Sequence, residues 1–251
     1  MKKFIVCITT TVLFYSCQHI SDHQHEVSTA PLDTIQSAPV DSTASPADFE
    51  TTFSKGTSKQ VGTTSQDFFG ITIGTIKLTT GRVIICDPLH MDEYGIPFTQ
   101  LFPIGTFPVQ LAVLQVDEEA SLAFARIKFS DEPVVRWEMA LREKQPESLF
   151  GGDHPEKYCI DGGVAILLDQ AASKVLDQEM ADNFDGPLFH KMYEHHHIGW
   201  RYTMYDFESH NLAAFTTGLG DGCYQTYIGF DANGTPCRLL TDFNLVNWKT
   251  E

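Results

Sequence analysis

Basic side chains are scarce: 17 Lys and Arg stand against 33 Asp and Glu in 251 residues, a formal net charge of −16. A surface of that sign repels nucleic acid and anionic lipid headgroups, which excludes nucleic acid as a partner class. Cationic partners and divalent ions stay compatible, although acidity alone also keeps a secreted protein soluble. The sequence has no Gly-x-Ser-x-Gly, no HExxH, no CxxC and no lysine-bearing glycine loop, so serine-hydrolase, zincin, thiol-redox and nucleotide-binding signatures are all missing. No apolar run approaches the roughly 20 residues that cross a bilayer as a helix, and no internal repeat is evident.

What is present begins at the N-terminus. Lys2-Lys3 precedes Phe4 to Tyr15, an apolar stretch interrupted by Cys7 and three threonines, and Ser16-Cys17 follows. That order is a basic n-region, an h-region and a small residue before a cysteine. Leu13-Phe14-Tyr15-Ser16-Cys17 is similar to the bacterial lipobox, with Phe14 and Tyr15 as departures from the usual small or aliphatic choices. The similarity implies a signal over residues 1–16, acylation of Cys17 and a cell-envelope location facing the periplasm or the exterior. Its alternative is an ordinary secretory signal. Cleavage before Cys17 would remove Lys2 and Lys3 but no acid, leaving a net charge of −18.

Residues 17–66 are rich in Ser, Thr, Pro, Asp and Gln, with Pro31, Pro39 and Pro46 spaced through them. The composition predicts a disordered tether that holds the following domain about 40 Å from the lipid. His19, His23 and His25 lie in it and read as solvated spacers rather than metal ligands.

From residue 67 to 251 short apolar runs alternate with turn signals every eight to twelve residues or so. Ile71–Ile76, Arg82–Cys86, Phe107–Val116, Leu122–Phe129 and Val134–Leu141 read as five strands. Val164–Leu168 reads as a buried strand, and Asp169 as the cap of a helix over Gln170–Met180, where Ala172, Val175, Leu176 and Met180 form a stripe. Leu212–Phe215, Cys223–Phe230 and Pro236–Phe243 read as strands, the last two joined by the turn Asp231-Ala232-Asn233-Gly234. Strands on both sides of one helix, without βαβ alternation, predict an α+β domain, mainly antiparallel β with one or two helices.

Within this domain Cys86-Asp87-Pro88, Pro97-Phe98, Gly105 with Phe107-Pro108-Val109, Trp137-Glu138-Met139-Ala140, Asp161-Gly162-Gly163 with Asp169, Gly218 with Gly220-Asp221-Gly222 and Tyr224, and Asp242-Phe243 follow in order. Together they resemble the successive motifs of the DUF4241 family over about Gly74 to Val246. The resemblance implies a shared fold, and because the family has no established function it carries over no catalytic residue.

Those motifs hold the carboxylates worth following: Asp87, Glu138, Asp161, Asp169, Asp221 and Asp242, with Tyr224 beside them. If several converged they could bind Ca²⁺ or Mg²⁺ or divide acid and base roles. Turn closure and helix capping by Asp are the stronger expectation. A second candidate is His190, Glu194 and His197, which would share one face of a helix and could hold Zn²⁺. Gly186-Pro187 and Gly199 leave little room for such a helix, so a solvated histidine run is the stronger expectation there too.

Cys86, Cys159, Cys223 and Cys237 would remain in an oxidising compartment, where two disulfides with three connectivities are open and buried free thiols are equally compatible. Trp137 and Tyr224 suit core packing or the wall of a site. Two functions follow: a non-catalytic binding or interaction module with a protein or small-molecule partner, which we expect, and a metal-assisted hydrolase built on the carboxylates or histidines.

Overall fold

The computed structural model describes residues 46–61, 64–143, 155–176 and 183–246. The expected signal, Cys17 and the first part of the tether lie outside the described residues. Among those described, no helix is long and apolar enough to cross a membrane.

Two antiparallel sheets carry the fold. In the larger, β1 (Thr57–Val61), β2 (Thr64–Leu78), β4 (Gly105–Val116), β5 (Glu119–Lys128), β13 (Pro236–Asp242) and β12 (Gly222–Phe230) lie side by side. The far edge of β12 is shared by β6 (Arg136–Met139), which pairs with Tyr227–Phe230, and β7 (Lys157–Ile160), which pairs with Gly222–Gln225. The smaller sheet runs β3 (Val83–Cys86), β8 (Val164–Asp169), β11 (His210–Thr216), β10 (Trp200–Phe207) and β9 (His196–His197).

Period-two alternation sorts the side chains into three apolar layers. Val109, Leu111 and Val113 of β4 and Leu122, Ala125 and Ile127 of β5 share the central layer with Ile85, Leu167, Ala213 and Phe215 of the smaller sheet. The opposite parity of that sheet, Ile84, Cys86, Ile166, Leu168, Leu212 and Ala214, packs against Ala172, Leu188, Phe189 and Met192 from short helices. Both faces of β3 and β8 are therefore buried, which is why Val83-Ile84-Ile85-Cys86 and Val164 to Leu168 read as continuous apolar runs. The third layer lies on the other face of the larger sheet, where Ala112, Leu114, Phe124, Tyr227 and Leu240 meet Phe49.

The expected strands are present, and antiparallel pairing holds throughout the described sheets. Among the described residues the helical share is smaller than an α+β description suggests: α1 (Pro46–Thr51), α2 (Met91–Tyr94), α3 (Gln170–Ser173) and α4 (Pro187–Met192) have four to six residues each. Asp169 caps α3 as expected, accepting from the Ala171 backbone N–H, but the regular helix described stops at Ser173 and residues 177–180 lie outside the described set. The Asp231–Gly234 turn also forms, with Asp231 Oδ1 accepting from the backbone N–H groups of Asn233 and Thr235.

One boundary moves. The folded unit does not begin at residue 67: α1 and β1 fall inside the stretch that composition assigned to the tether, and Phe49 is fully buried. A polar, proline-bearing segment hides this because few of its side chains, Phe49 foremost, seat it on the sheet.

Candidate functional site

The loops at one end of the sandwich gather most of the motif residues. Asp87 directly follows β3 and is 1% exposed. Its Oδ1 accepts from the Leu89 N–H at 2.8 Å, capping the 3₁₀ turn Pro88–His90. Its Oδ2 accepts from the N–H groups of Asp161 and Gly162 at 2.7 and 2.9 Å, in the turn between β7 and β8. That turn continues into Gly163, whose φ of +62° is a left-handed conformation that favours glycine. The Gly163 carbonyl accepts from Thr217 N–H at 3.1 Å, which draws in the β11–β12 loop. A Cβ on Gly163 would stand 3.6 Å from the Gly220 Cα, so the two glycine loops touch backbone to backbone.

Beneath them, Thr217 Oγ1 and the Tyr224 hydroxyl both donate to the Gly220 carbonyl at 2.6 Å. Tyr224 packs on Tyr158 and Phe243, with ring centroids 6.0 and 5.3 Å away. Its phenol is pushed up chiefly by burial, which suits a fixed donor to a carbonyl rather than a proton carrier near neutrality. Phe243 also sits under Gly218, where a Cβ would come within 2.8 Å of the Phe243 Cβ. A disulfide joins Cys159 to Cys223, directly opposed on β7 and β12. Of the two disulfides that composition allows, this one forms, and Cys86 and Cys237 are free and buried.

The structure thus brings together Asp87, Asp161, Asp221, Tyr224 and the Asp242-Phe243 motif, with their carboxylates in separate roles. Asp242 is 3% exposed and closes its own turn, accepting from the Asn244 N–H at 2.8 Å. Asp161 and Asp221 point to solvent, with His90 Nε2 3.9 Å from Asp161 Oδ2. Asp169 lies at the opposite end of β8. It is fully buried and accepts from the N–H and hydroxyl of both Thr79 and Thr80 at 2.9–3.1 Å, besides capping α3. Glu138 is exposed on β6 and pairs with Arg136 at 3.2 Å.

The histidine segment does not form one helical face. His190 belongs to α4, which ends at Met192; Glu194 sits in a 3₁₀ turn and pairs with Lys191 at 3.6 Å; His197 is on β9, stacked on Trp200 with centroids 4.0 Å apart. Among the described residues, no group of three His, Cys, Asp or Glu side chains is placed to hold a metal ion. Pro187 opens the helix at its first position, and Gly199, with a φ of +86°, makes the turn between β9 and β10, so the segment between them has no room for a longer helix.

Residues 76–241 match a family described as Protein of unknown function (DUF4241). The chain belongs to this family. The DUF4241 match spans about two thirds of the chain, begins inside β2 and ends inside β13. It therefore contains the loop end, from Asp87 to Tyr224, and leaves α1 and β1 outside. Among curated proteins and among solved structures, nothing matches the chain.

The loop end presents a shaped surface. Its buried carboxylate and hydroxyl hold backbone, and its outward groups are Leu219 at 86% exposure, Asp161, Asp221 and half-buried His90. Sequence reading found the acids and glycines of this end but not Leu219 or Thr217, which carry no motif signal of their own.

Proposed function

We propose that this DUF4241 protein is a cell-envelope lipoprotein, acylated at Cys17, whose domain is a non-catalytic binding module meeting a protein or small-molecule partner through the loop end. The observation that carries this reading is Asp87: one buried carboxylate ties the β3, β7–β8 and, through Gly163, β11–β12 loops into a single pre-organised surface. The Cys159–Cys223 disulfide supports an oxidising compartment. A metal-assisted hydrolase would need carboxylate oxygens open to an ion, whereas those of Asp87 and Asp169 are already accepting from the chain.

Two measurements test the proposal. Cells fed labelled palmitate should label the intact protein and not Cys17→Ser; equal labelling removes the anchor. A photo-crosslinking residue at Leu219 should trap a discrete adduct on intact cells that the same residue at Asn233, in the β12–β13 turn at the other end, does not. Equal patterns from the two positions remove the loop end as the binding surface.

A further inference from the structure

The outer face of the larger sheet carries a socket that the chain fills with its own N-terminal segment. Phe49 of α1 lies among Trp137, Tyr227 and Phe124, with ring centroids 5.1, 5.1 and 5.5 Å away. The next residue, Glu50, faces two nearly buried arginines: Arg126 Nη1 donates to Oε1 at 2.6 Å, and Arg238 Nε and Nη2 reach the carboxylate at 3.3 Å. Arg126 also lies 3.8 Å over the Phe53 ring. Gly70 lets this segment approach, because a Cβ there would fall 2.1 Å from the Phe53 carbonyl oxygen.

The parts of this contact fall on different sides of the family match. Phe124, Arg126, Trp137, Tyr227 and Arg238 lie within the DUF4241 match, whereas Phe49 and Glu50 precede it by more than twenty residues. The socket residues lie inside the family match and the occupant lies outside it. That occupant is weakly built on its own account. Six residues are too few for an independent helix, since isolated helices below about 12–15 residues are marginal in water, so α1 is helical because it is seated. The turn behind it, residues 54–56, is exposed, and Gly56 adopts a φ of +83° with open space around its Cα.

Two further features suit a peptide. Trp137 is 7% exposed, yet among the described residues its buried Nε1 has no acceptor. Burial is also the main cause that pulls the Arg126 guanidinium down to about 10, with Glu50 opposing it, so this arginine is held charged by the carboxylate beside it. Removing that carboxylate leaves two buried guanidinium groups without their shared counter-ion.

We infer that this socket is a recognition site for a short peptide segment in which an aromatic side chain is followed by a carboxylate, supplied in trans by a partner protein, and that Phe49–Glu50 occupies it in cis until displaced. The aromatic ring takes the pocket of Phe124, Trp137 and Tyr227; the acid takes Arg126 and Arg238; a peptide carbonyl can meet the free Trp137 Nε1. The cis segment is joined to the sheet by a short hinge, so an incoming peptide competes against a high local concentration and binds only when the segment is out.

The test uses the folded full-length chain with a specific protease site placed in the exposed 54–56 turn. After cutting, a fluorescent peptide of residues 46–55 should bind saturably, and uncut protein should bind it far more weakly. The peptide carrying F49A should bind at least about 30-fold more weakly, as expected for losing a buried aromatic side chain, and the E50K peptide should also lose affinity. An unrelated peptide with the same aromatic–acid pair should compete. As a second route that needs no cut, the full-length F49A protein should take up the wild-type peptide while keeping its β-rich circular dichroism. The inference is overturned if the cut protein unfolds and F49A also fails to bind peptide, if the E50K peptide binds as well as wild type, or if the unrelated peptide does not compete. It is equally overturned as a partner site if intact protein forms concentration-dependent dimers that the wild-type peptide dissolves, since the occupant is then a second copy of the chain.

Discussion

Asp87 Oδ2 accepts from the backbone N–H of Gly162, 75 residues away in sequence, at 2.9 Å. With the bonds to Leu89 and Asp161 it makes one side chain the bracket for two loops. Asp87→Asn keeps the size but can keep acceptor oxygen on one side only, turning an N–H toward the donors it must satisfy on the other. We expect it to cost about 1–3 kcal/mol of unfolding free energy and to raise hydrogen exchange at Asp161 and Gly162, with amides of β4 and β5 unaffected. Unchanged exchange at those two positions would contradict the bracket.

Asp169 is the more heavily used carboxylate, with five donors on it from Thr79, Thr80 and Ala171. Asp169→Ala leaves those groups unpaired at a fully buried site and should lower stability by about 3–5 kcal/mol. Thr80→Val removes one hydroxyl donor and should cost about 1 kcal/mol. Denaturant titration of both variants reads the difference, and a small loss in Asp169→Ala would count against its structural role.

Thiol chemistry checks the cysteine assignment. Burial pushes the thiols of Cys86 and Cys237 up, so both should resist alkylation at pH 8 in the native protein. After denaturation without reductant both should label, while Cys159 and Cys223 should label only after reduction. Replacing Cys159 and Cys223 together by Ser should cost about 2–4 kcal/mol. Peptide mapping by mass spectrometry distinguishes this pattern from any other pairing.

Gly70 controls the seating of the N-terminal segment. A methyl group there would fall 2.1 Å from the Phe53 carbonyl oxygen, and backbone, unlike a flexible side-chain tip, does not yield cheaply. Gly70→Ala should therefore loosen residues 46–56 and speed trypsin cleavage after Lys55 severalfold, with the sheets intact by circular dichroism. Cleavage at the wild-type rate would show that the segment is not held at this contact.

The buried strands were legible because their apolar residues recur at the sheet period, and β3 and β8 because continuous runs mark strands covered on both faces. Trp200–Phe207 escaped notice: β10 is only partly buried and mixes Arg201, Thr203 and Asp206 with its aromatics. The carboxylates were legible as residues, and Asp169 as a helix cap, but not their long-range partners. The cap that Asp169 makes on Ala171 was readable locally, but its bonds to Thr79 and Thr80, and those of Asp87 to Asp161 and Gly162, come from segments that the sequence separates by tens of residues.

By itself the sequence determined the acidic surface, the lipobox-like start, the antiparallel β character and the family motifs, since each rests on composition, local period or short-range order. Tertiary structure decided that Phe49 belongs to the core, that Cys159 rather than Cys86 or Cys237 pairs with Cys223, and that Asp87, Asp169 and Asp242 accept from backbone while Glu138, Asp161 and Asp221 face solvent. Those outcomes depend on which distant strands become neighbours. Register sets that by packing whole faces at once, and no single stretch of chain encodes it.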